Sequence, residues 1–446
     1  MPEDTVGILD ARPVSRLQIV VAAICIMVAV MDGFDTQAIG YVAPAIIKDW
    51  DIERVVLGPV FSAGLIGSLL GALTFGTLAD RYGRRPMLIV CTLVFGTAAL
   101  ASSQAASVPA LVVLRFVTGL GLGGAMPIAL AQTSEYMPRR IRSVAVTLTY
   151  VGFSMGAALG GVAAEELLRQ FSWQAVFVAG GVPTLVLMGA IAVWLPESLA
   201  FMARQASRPT RLEAVLKRLG VAAGTVLAVR SRPPAVAAAV AELFADGRAA
   251  VTAAVWLIVF MNLVELYFFS NWLPVILHDV GLTVGEAALV TALFQIGGSV
   301  GAVAIGVLID RLPKFIVLGC SFVSAAAFIA AVGGVLAAAT GVLLFWGLAA
   351  VVTCAGVCVV GGQIGVIAAA STIYPAAVRT SGVGWALGIG RIGSVVGPFV
   401  GSALIANHLP VHELFAVGAV PAVIAGASAL WLGSFDRTRA TRAKTA

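Results

Sequence analysis

Long apolar runs alternate with short polar breaks along almost the whole chain. Dividing the chain at charged clusters and Pro/Gly turns leaves apolar segments of roughly the 20 residues that a helix needs to cross a bilayer. Their approximate ranges are 17–41, 56–79, 87–103, 109–135, 143–165, 173–195, 250–277, 285–309, 315–334, 338–371, 380–406 and 413–433. The pattern predicts an all-α polytopic membrane protein with twelve transmembrane helices, called spans one to twelve.

The composition supports lipid as the solvent for most of this chain. Hydrophobic residues make up 60% of its 446 residues and charged residues only 11%, whereas a soluble protein has about 25% charged residues. The first apolar run continues into further membrane sequence without an A-x-A cleavage site, so we interpret it as a span and not as a removable signal peptide. The five cysteines lie in apolar runs and are expected to serve in packing, so we predict no metal site.

The distribution of basic residues predicts the direction of the spans. If the N-terminus lies inside, the outer loops contain only Lys48, Arg54 and Arg169. Two arginines lie within spans, and all the other Lys and Arg residues of the 28 fall in inner segments. Because basic loops stay in the cytoplasm, both termini are predicted to be cytoplasmic. The net charge of +6 is then a consequence of topology, and nucleic-acid binding is not expected.

One long polar stretch divides the spans into two groups of six. We predict an N-terminal six-helix bundle at 1–196, a cytoplasmic linker at 197–248 and a C-terminal bundle with a short cytoplasmic tail at 249–446. Gly76–Arg81 matches Gly306–Arg311, and Phe177–Pro183 matches Phe415–Pro421. Halves with six spans each have the same orientation, and parallel repeats of this kind form a substrate cavity at their interface and work by alternating access.

Four motifs resemble the major facilitator superfamily over essentially the whole chain. Gly76–Pro86 is similar to its signature between spans two and three, and Arg115–Gly121 to its span-four arginine motif. Glu135 and Arg142 resemble the acidic and basic residues below span four, and Pro196–Ser198 the motif that closes span six. The second-half loop at Asp310–Lys314 lacks the Gly-Arg-Arg of its first-half partner.

Two shorter motifs resemble a narrower family within that superfamily. Asp32–Thr36 in span one and Asn271–Pro274 in span seven are similar to the aromatic acid:proton symporters, carriers of 4-hydroxybenzoate- and benzoate-type acids. The resemblance implies uptake of a hydroxylated benzoate or a relative such as a phenylpropionate or muconate. After Gly156, span five has Ala157 instead of the Gly-Pro dyad frequent in drug antiporters of the superfamily, which favours uptake over efflux.

Ionisable residues inside spans are candidates for proton coupling, because a charge at bilayer depth costs at least about 2.5–3.5 kcal/mol. Asp32 and Asp35 share a helix face, so one of them is expected to retain a proton, with Asp32 deeper and Asp35 near the outer end. Arg115 is estimated to lie at the depth of Asp32 and to assist proton release, or to form a structural ion pair. Glu265 is a second candidate proton site, a contact for a substrate hydroxyl, or a partner in an interhelix hydrogen bond.

The predicted substrate contacts centre on Arg391, which lies near the midplane in span eleven. Its guanidinium fork matches a carboxylate in bidentate fashion, and a structural ion pair is the alternative. Aromatic and amide side chains near the expected cavity complete the substrate set: Phe34, Tyr267, Asn271, Trp272 and Gln132.

Charged residues at the inner ends of the spans are predicted to form a gate that closes one conformation and opens in the other. For the first-half arginines the alternative is a simple role as positive-inside anchors. The predicted gating residues are Asp80, Arg81, Arg84, Arg85, Glu135, Arg142, Asp310, Arg311 and Arg379.

The leading hypothesis is a secondary active transporter in the bacterial inner membrane that takes up an aromatic carboxylate with protons. A carrier of a non-aromatic metabolite, or a drug or metabolite exporter, is the alternative, and a ligand-binding membrane sensor without transport is a more distant one. No nucleophile–base constellation is evident, so we predict that the chain is not an enzyme. No cofactor is expected, since the proton gradient would drive transport. The expected partners are protons, a small aromatic acid and the bilayer, with the protein a monomer.

Overall fold

The computed structural model describes residues 13–204, 209–220, 243–245, 248–374, 379–407 and 409–445, almost all of them helical. Within these residues, twelve helices are long and apolar enough to cross a membrane, which confirms the all-α prediction. Spans one to six are Arg16–Trp50, Leu57–Tyr82, Arg84–Ser102, Val108–Tyr136, Arg139–Gln170 and Trp173–Trp194. Spans seven to twelve are Ala249–Asp279, Val284–Arg311, Lys314–Ala338, Gly341–Ile373, Arg379–Ala406, and the pair Val411–Gly418 and Val420–Thr445.

Two helices differ from the expected ranges for identifiable reasons. Span one continues past 41 to Trp50, because Val42, Ala43 and Ile46 are fully buried and extend its packed surface beyond Pro44. Span twelve is interrupted at Ala419, two residues before Pro421. A proline inside a helix lacks the N–H for one backbone hydrogen bond and crowds the preceding turn, so it favours a break there.

The chain forms two compact units. The first comprises Met1–Ala38, Ile66–Ala157 and Gln174–Pro233, and the second comprises Ile39–Leu65, Ala158–Trp173 and Pro234–Ala446. The segments 39–65 and 158–173 therefore pack with spans seven to twelve, although they come from the first half of the sequence. The division at 197–248 follows from the long polar stretch between the two groups of six spans, and it stays a prediction about the bundles.

The core of the first unit joins membrane spans to part of the linker. Cys25 of span one and Phe95 of span three are fully buried in it. The short linker helix Pro209–Arg218 contributes Leu216, and Leu219 follows directly after it, each about 5% exposed or less. This part of the linker is thus a packed element of the first unit.

Spans one and five approach closely where the candidate coupling acids lie. A Cβ atom at Gly33 would collide with the carbonyl oxygen of Phe153, and one at Gly156 would collide with the carbonyl oxygen of Val30. Small residues at such crossings allow two backbones to come into direct contact. Gly33 lies between Asp32 and Asp35 in span one, so both candidate acids lie beside this crossing.

Candidate functional site

A buried ion pair joins spans four and one within the first unit. Arg115 Nη1 of span four is 3.2 Å from Asp35 Oδ2 of span one, and the two side chains are 4% and 3% exposed. Arg115 Nη2 also donates to Ser102 Oγ at 3.0 Å and to Thr118 Oγ1 at 3.1 Å. The guanidinium carbon is 4.7 Å from the ring centroid of Phe177. These contacts from four spans hold the arginine in one position.

The partner of Arg115 is Asp35 and not Asp32, which corrects the depths estimated from the sequence. The estimate assumed that span one ends near 41, whereas it ends at Trp50. Asp35 therefore lies about 22 Å from that end at 1.5 Å per residue, close to the middle of the helix. Asp32 is also buried, and its Oδ1 accepts a hydrogen bond from Thr36 Oγ1 at 3.2 Å.

A second buried carboxyl group lies in the second unit, on span seven. Glu265 is 0% exposed, and neither carboxyl oxygen has a hydrogen-bond partner among the described residues. Asn262, one turn earlier, is also 0% exposed. Its Nδ2 donates to the carbonyl oxygen of Val359 in span ten at 3.0 Å, while its Oδ1 has no partner in the described part of the chain.

Arg391 lies near the middle of span eleven and is partly buried. Its neighbours Gly390 and Gly393 pack against span seven, where a Cβ at Gly393 would collide with the carbonyl oxygen of Phe260. This close packing fixes the height of Arg391 beside span seven. Its contact with a substrate carboxylate stays a prediction.

The aromatic and amide candidates of span seven are occupied by contacts within the second unit. Trp272 is 0% exposed, its Nε1 donates to the carbonyl oxygen of Pro398 at 2.9 Å, and its ring forms an edge contact with Phe61 at 5.1 Å. Asn271 Nδ2 donates to the carbonyl oxygen of Tyr267 at 2.8 Å. In this structure these side chains pack the protein, and their predicted contact with substrate is untested.

Phe34 and Gln132 also have packing contacts, in the first unit. The Phe34 ring lies against Gly180 of span six, where a Cβ would be 3.1 Å from it. Gln132 Nε2 donates to the carbonyl oxygen of Pro196 at 2.8 Å, and the residue is 0% exposed. The amide of Gln132 thus secures the end of span six, and a substrate role for either residue stays a prediction.

The motif between spans two and three is held by an acid from the end of span six. Glu197 Oε1 accepts hydrogen bonds from the backbone N–H groups of Arg84 at 2.8 Å and Arg85 at 3.3 Å. Arg84 Nη1 is 2.8 Å from Glu135 Oε1, and Ser198 Oγ donates to Glu135 Oε2 at 2.7 Å. The carboxylate of Glu197 therefore caps the start of span three, where backbone N–H groups lack partners within the helix.

Glycine is required at the turn into this cap. Gly83 has φ +103°, and a Cβ there would collide with the Glu197 carboxylate. We named Pro196–Ser198 as a motif without assigning a role to Glu197, because a sequence does not reveal that its carboxylate reaches a helix start more than one hundred residues earlier.

The acidic and basic residues below span four do not pair with each other. Arg142 donates to the carbonyl oxygen of Met137 through Nε at 3.3 Å and Nη2 at 3.2 Å, whereas Glu135 pairs with Arg84. Together with Arg85, which donates to the carbonyl oxygen of Ala192, these contacts join elements of the first unit to one another. The cluster is a scaffold within that unit in this structure.

For the remaining predicted gating residues, the gating role stays a prediction. Asp80, Arg81, Asp310 and Arg311 are exposed. The side chain of Arg379 lies outside the described residues. Among the described residues, no group of three or more His, Cys, Asp and Glu side chains is arranged to hold a metal ion.

Within the second unit, the segment 39–65 contacts spans seven and eleven. The sequence did not reveal these contacts. Arg54 Nη2 is 2.8 Å from Asp279 Oδ1. Ser402 Oγ donates to the carbonyl oxygen of Val55 at 3.0 Å, and Ser62 Oγ to that of Val395 at 3.2 Å. The available signal was the opposite charge of Arg54 and Asp279, both in loops predicted to lie on the outer side.

Twelve helices long and apolar enough to cross a membrane, several of them with buried ionisable side chains, are typical of a multi-pass membrane transporter. The sequence model of the Major Facilitator Superfamily matches residues 25–261 and 255–446. The chain belongs to this superfamily, and it is a transporter of small molecules and not an enzyme.

Relatives in this superfamily match over their full length. The chain is 37% identical to a gallate transporter of Pseudomonas putida, with 100% of this chain and 98% of the relative covered. It is 37% identical to the 4-hydroxybenzoate transporter PcaK of the same species, covering 98% and 97%. The crystal structure of a D-xylose-proton symporter superposes with a TM-score of 0.72 at 16% identity, covering 94% of this chain and 96% of that one, which shows the shared fold.

Proposed function

We propose that the chain takes up a hydroxylated aromatic carboxylate together with protons by alternating access. The observation that carries this proposal is the identity of 37%, over nearly full length, to transporters of gallate and of 4-hydroxybenzoate. Both named substrates are benzoates with ring hydroxyl groups. The motif resemblance of spans one and seven to aromatic acid symporters points to the same class.

Arg391 is proposed to hold the substrate carboxylate. It is the only Lys or Arg residue between Arg379 and Arg437, so it is the sole permanent cation within the apolar length of spans eleven and twelve. A guanidinium group keeps its charge and binds a carboxylate through two parallel hydrogen bonds, which a lysine cannot reproduce. The carboxylate of an anionic substrate is the group that this guanidinium is proposed to bind.

Asp35 and Arg115 are proposed to couple the proton to the transport cycle. When a proton binds Asp35, the ion pair at 3.2 Å loses its attraction, while Arg115 keeps its bonds to Ser102 and Thr118. The charge of the acid therefore biases spans one and four between two arrangements, as a conformational switch requires. Asp32, one turn away, shares the proton-carrying role.

The remaining proposals concern topology and gating. The protein is proposed to lie in the bacterial inner membrane as a monomer with both termini in the cytoplasm, driven by the proton gradient without a cofactor. Exposed residues at the basic ends of spans two and eight, among them Asp80 and Asp310, are proposed to contribute to an inner gate.

Uptake of radiolabelled 4-hydroxybenzoate into proteoliposomes tests the proposal. We expect accumulation against a gradient when the outside is acidic, no accumulation after a protonophore, and competition by gallate but not by a non-aromatic acid such as succinate. Accumulation that ignores the proton gradient would refute the coupling, and competition by succinate but not by gallate would refute the substrate class.

Two variants separate binding from coupling in the same preparation. Arg391→Ala is expected to abolish uptake, and Arg391→Lys to restore little of it, because the fork is lost. Asp35→Asn is expected to retain exchange of labelled for unlabelled substrate without a gradient, but to accumulate less substrate than the wild type under the same proton gradient. Unchanged uptake in Arg391→Ala, or unchanged accumulation in Asp35→Asn, would remove that residue from the mechanism.

A further inference from the structure

We infer that Asn262 and Glu265 form a second proton-binding site, so that two protons move with each substrate anion. This inference rests on the proposed symport, and it adds a site in the second unit to the one at Asp35. Both residues lie on span seven and are 0% exposed. Three acceptor oxygens, two from Glu265 and one from Asn262, have no hydrogen-bond partner in the described part of the chain.

One added proton supplies a hydrogen-bond donor to these unpaired acceptor oxygens. Residues three apart share a face of a helix, about 5–6 Å apart at their Cβ atoms. A protonated carboxyl group has one O–H donor, and an amide oxygen accepts. The proton binds one carboxyl oxygen of Glu265, and the new O–H donates to Asn262 Oδ1 after a rotamer change. Buried acceptors without donors are rare in proteins, so three of them on two side chains one helical turn apart indicate a site that receives a donor.

A hydrogen bond orients the amide of Asn262 so that its oxygen can accept a hydrogen bond from this donor. Its Nδ2 donates to the carbonyl oxygen of Val359 in span ten at 3.0 Å, which orients the amide and leaves Oδ1 as the acceptor. The proton arrives from water on the side that is open at that stage of the cycle and leaves to water on the other. No further reactant is needed, since binding and release involve only the carboxyl group and water.

Neither carboxyl oxygen of Glu265 accepts a hydrogen bond from a charged side chain among the described residues. Spans eight, ten, eleven and twelve pack against span seven. Within their apolar lengths the charged or titratable side chains are Cys354 and Cys358 of span ten and Arg391 of span eleven. A neutral thiol supplies no compensating charge.

The number of protons moved is measurable in proteoliposomes with the membrane potential clamped at zero. For a set of proton gradients, one determines the gradient of labelled 4-hydroxybenzoate at which net flux stops. With two protons per anion, a tenfold proton gradient balances about a hundredfold substrate gradient, and with one proton about a tenfold one. We expect the two-proton relation for the wild type and for Glu265→Asp, and the one-proton relation for Glu265→Gln.

Controls separate a proton site from a structural role. Thr252→Val changes a different buried polar side chain of span seven, removing the hydrogen bond from Thr252 Oγ1 to the carbonyl oxygen of Leu243, and is expected to keep the two-proton relation. If Glu265→Gln cannot be purified, a pH-indicator dye can count the protons bound when substrate is added to Asp35→Asn in detergent, where about one is expected to remain.

The outcomes distinguish this inference from the proposed function. A two-proton relation in Glu265→Gln, or no residual proton in Asp35→Asn, would overturn the second site while leaving symport intact. A wild type with no proton dependence would overturn the symport itself. A Glu265→Gln variant that keeps the wild-type relation but loses its preference for 4-hydroxybenzoate over benzoate would identify Glu265 as a contact for the ring hydroxyl instead.

Discussion

The two units each bury a carboxyl group in the middle of a long apolar helix, but they surround it differently. Asp35 in the first unit faces Arg115 at 3.2 Å, with both side chains at most 4% exposed. Glu265 in the second unit is 0% exposed and has no hydrogen-bond partner among the described residues. The two carboxyl groups are therefore buried to a similar degree, but only Asp35 has a charged partner.

This difference indicates different protonation chemistry for the two acids. A buried ion pair tolerates two charges because each compensates the other, and removing one partner leaves the other uncompensated. An isolated carboxyl group in apolar surroundings avoids the cost of charge by binding a proton. Asp35 is then an acid whose charge the protein maintains, and Glu265 is an acid whose proton the protein stores.

The largest effect is expected from removing the cation of the first unit. Arg115→Leu leaves Asp35 buried without its ion-pair partner, so we expect a loss of about 3–5 kcal/mol in the free energy of unfolding. Denaturation with SDS in mixed micelles measures this. The double variant Asp35→Asn with Arg115→Leu is expected to recover most of the loss, since it removes both charges. A double variant no more stable than Arg115→Leu would mean that Arg115 stabilises the unit by packing alone.

Removing the acid is expected to cost less than removing the cation. Asp35→Asn leaves Arg115 with its bonds to Ser102 and Thr118 and its contact with Phe177. We therefore expect a loss of about 1–3 kcal/mol in the same denaturation experiment. A loss as large as that of Arg115→Leu would show that these neighbours do not compensate the guanidinium group.

The fold could be predicted from the sequence because the lipid bilayer constrains the composition of every span. Each span must be apolar over about 20 residues, and this requirement leaves a visible pattern. The buried acids were visible for the same reason, since Glu265 interrupts a run in which packing alone would not select it. Predicting which acid pairs with Arg115 requires the depth of each residue in the membrane to within one helical turn. The sequence placed the end of span one too early, so the predicted position of Asp35 was too close to the membrane surface.

Contacts between distant segments were the part that the sequence did not reveal. Glu197 caps span three and Arg54 pairs with Asp279 because of how helices pack in space. The charge pattern alone indicated a gate at the basic ends, whereas the structure shows Arg84, Glu135 and Glu197 joining parts of one unit. Pattern reasoning identifies which residues are unusual, and geometry decides which of them meet.

A smaller effect is expected from one of the neutral partners of Arg115. Ser102→Ala removes an acceptor of the hydrogen bond from Arg115 Nη2 at 3.0 Å, so we expect a loss of about 0.5–1.5 kcal/mol in the free energy of unfolding. Ser103→Ala is the matched control, because Ser103 Oγ donates to its own helix at Leu100 and does not touch Arg115. Equal losses in the two variants would show that Ser102 does not support the arginine.

The smallest effect is expected in the second unit, where it decides the comparison between the two acids. Glutamine has the shape of a protonated glutamic acid and no charge, so Glu265→Gln should change the free energy of unfolding by less than about 1 kcal/mol. If Glu265 were ionised in the folded protein, the same substitution would relieve an uncompensated buried charge and stabilise the protein by several kcal/mol. Stabilisation of that size in SDS denaturation at neutral pH would contradict a stored proton. A value near zero, beside the loss expected for Asp35→Asn, would show that the two units bury their acids in different charge states.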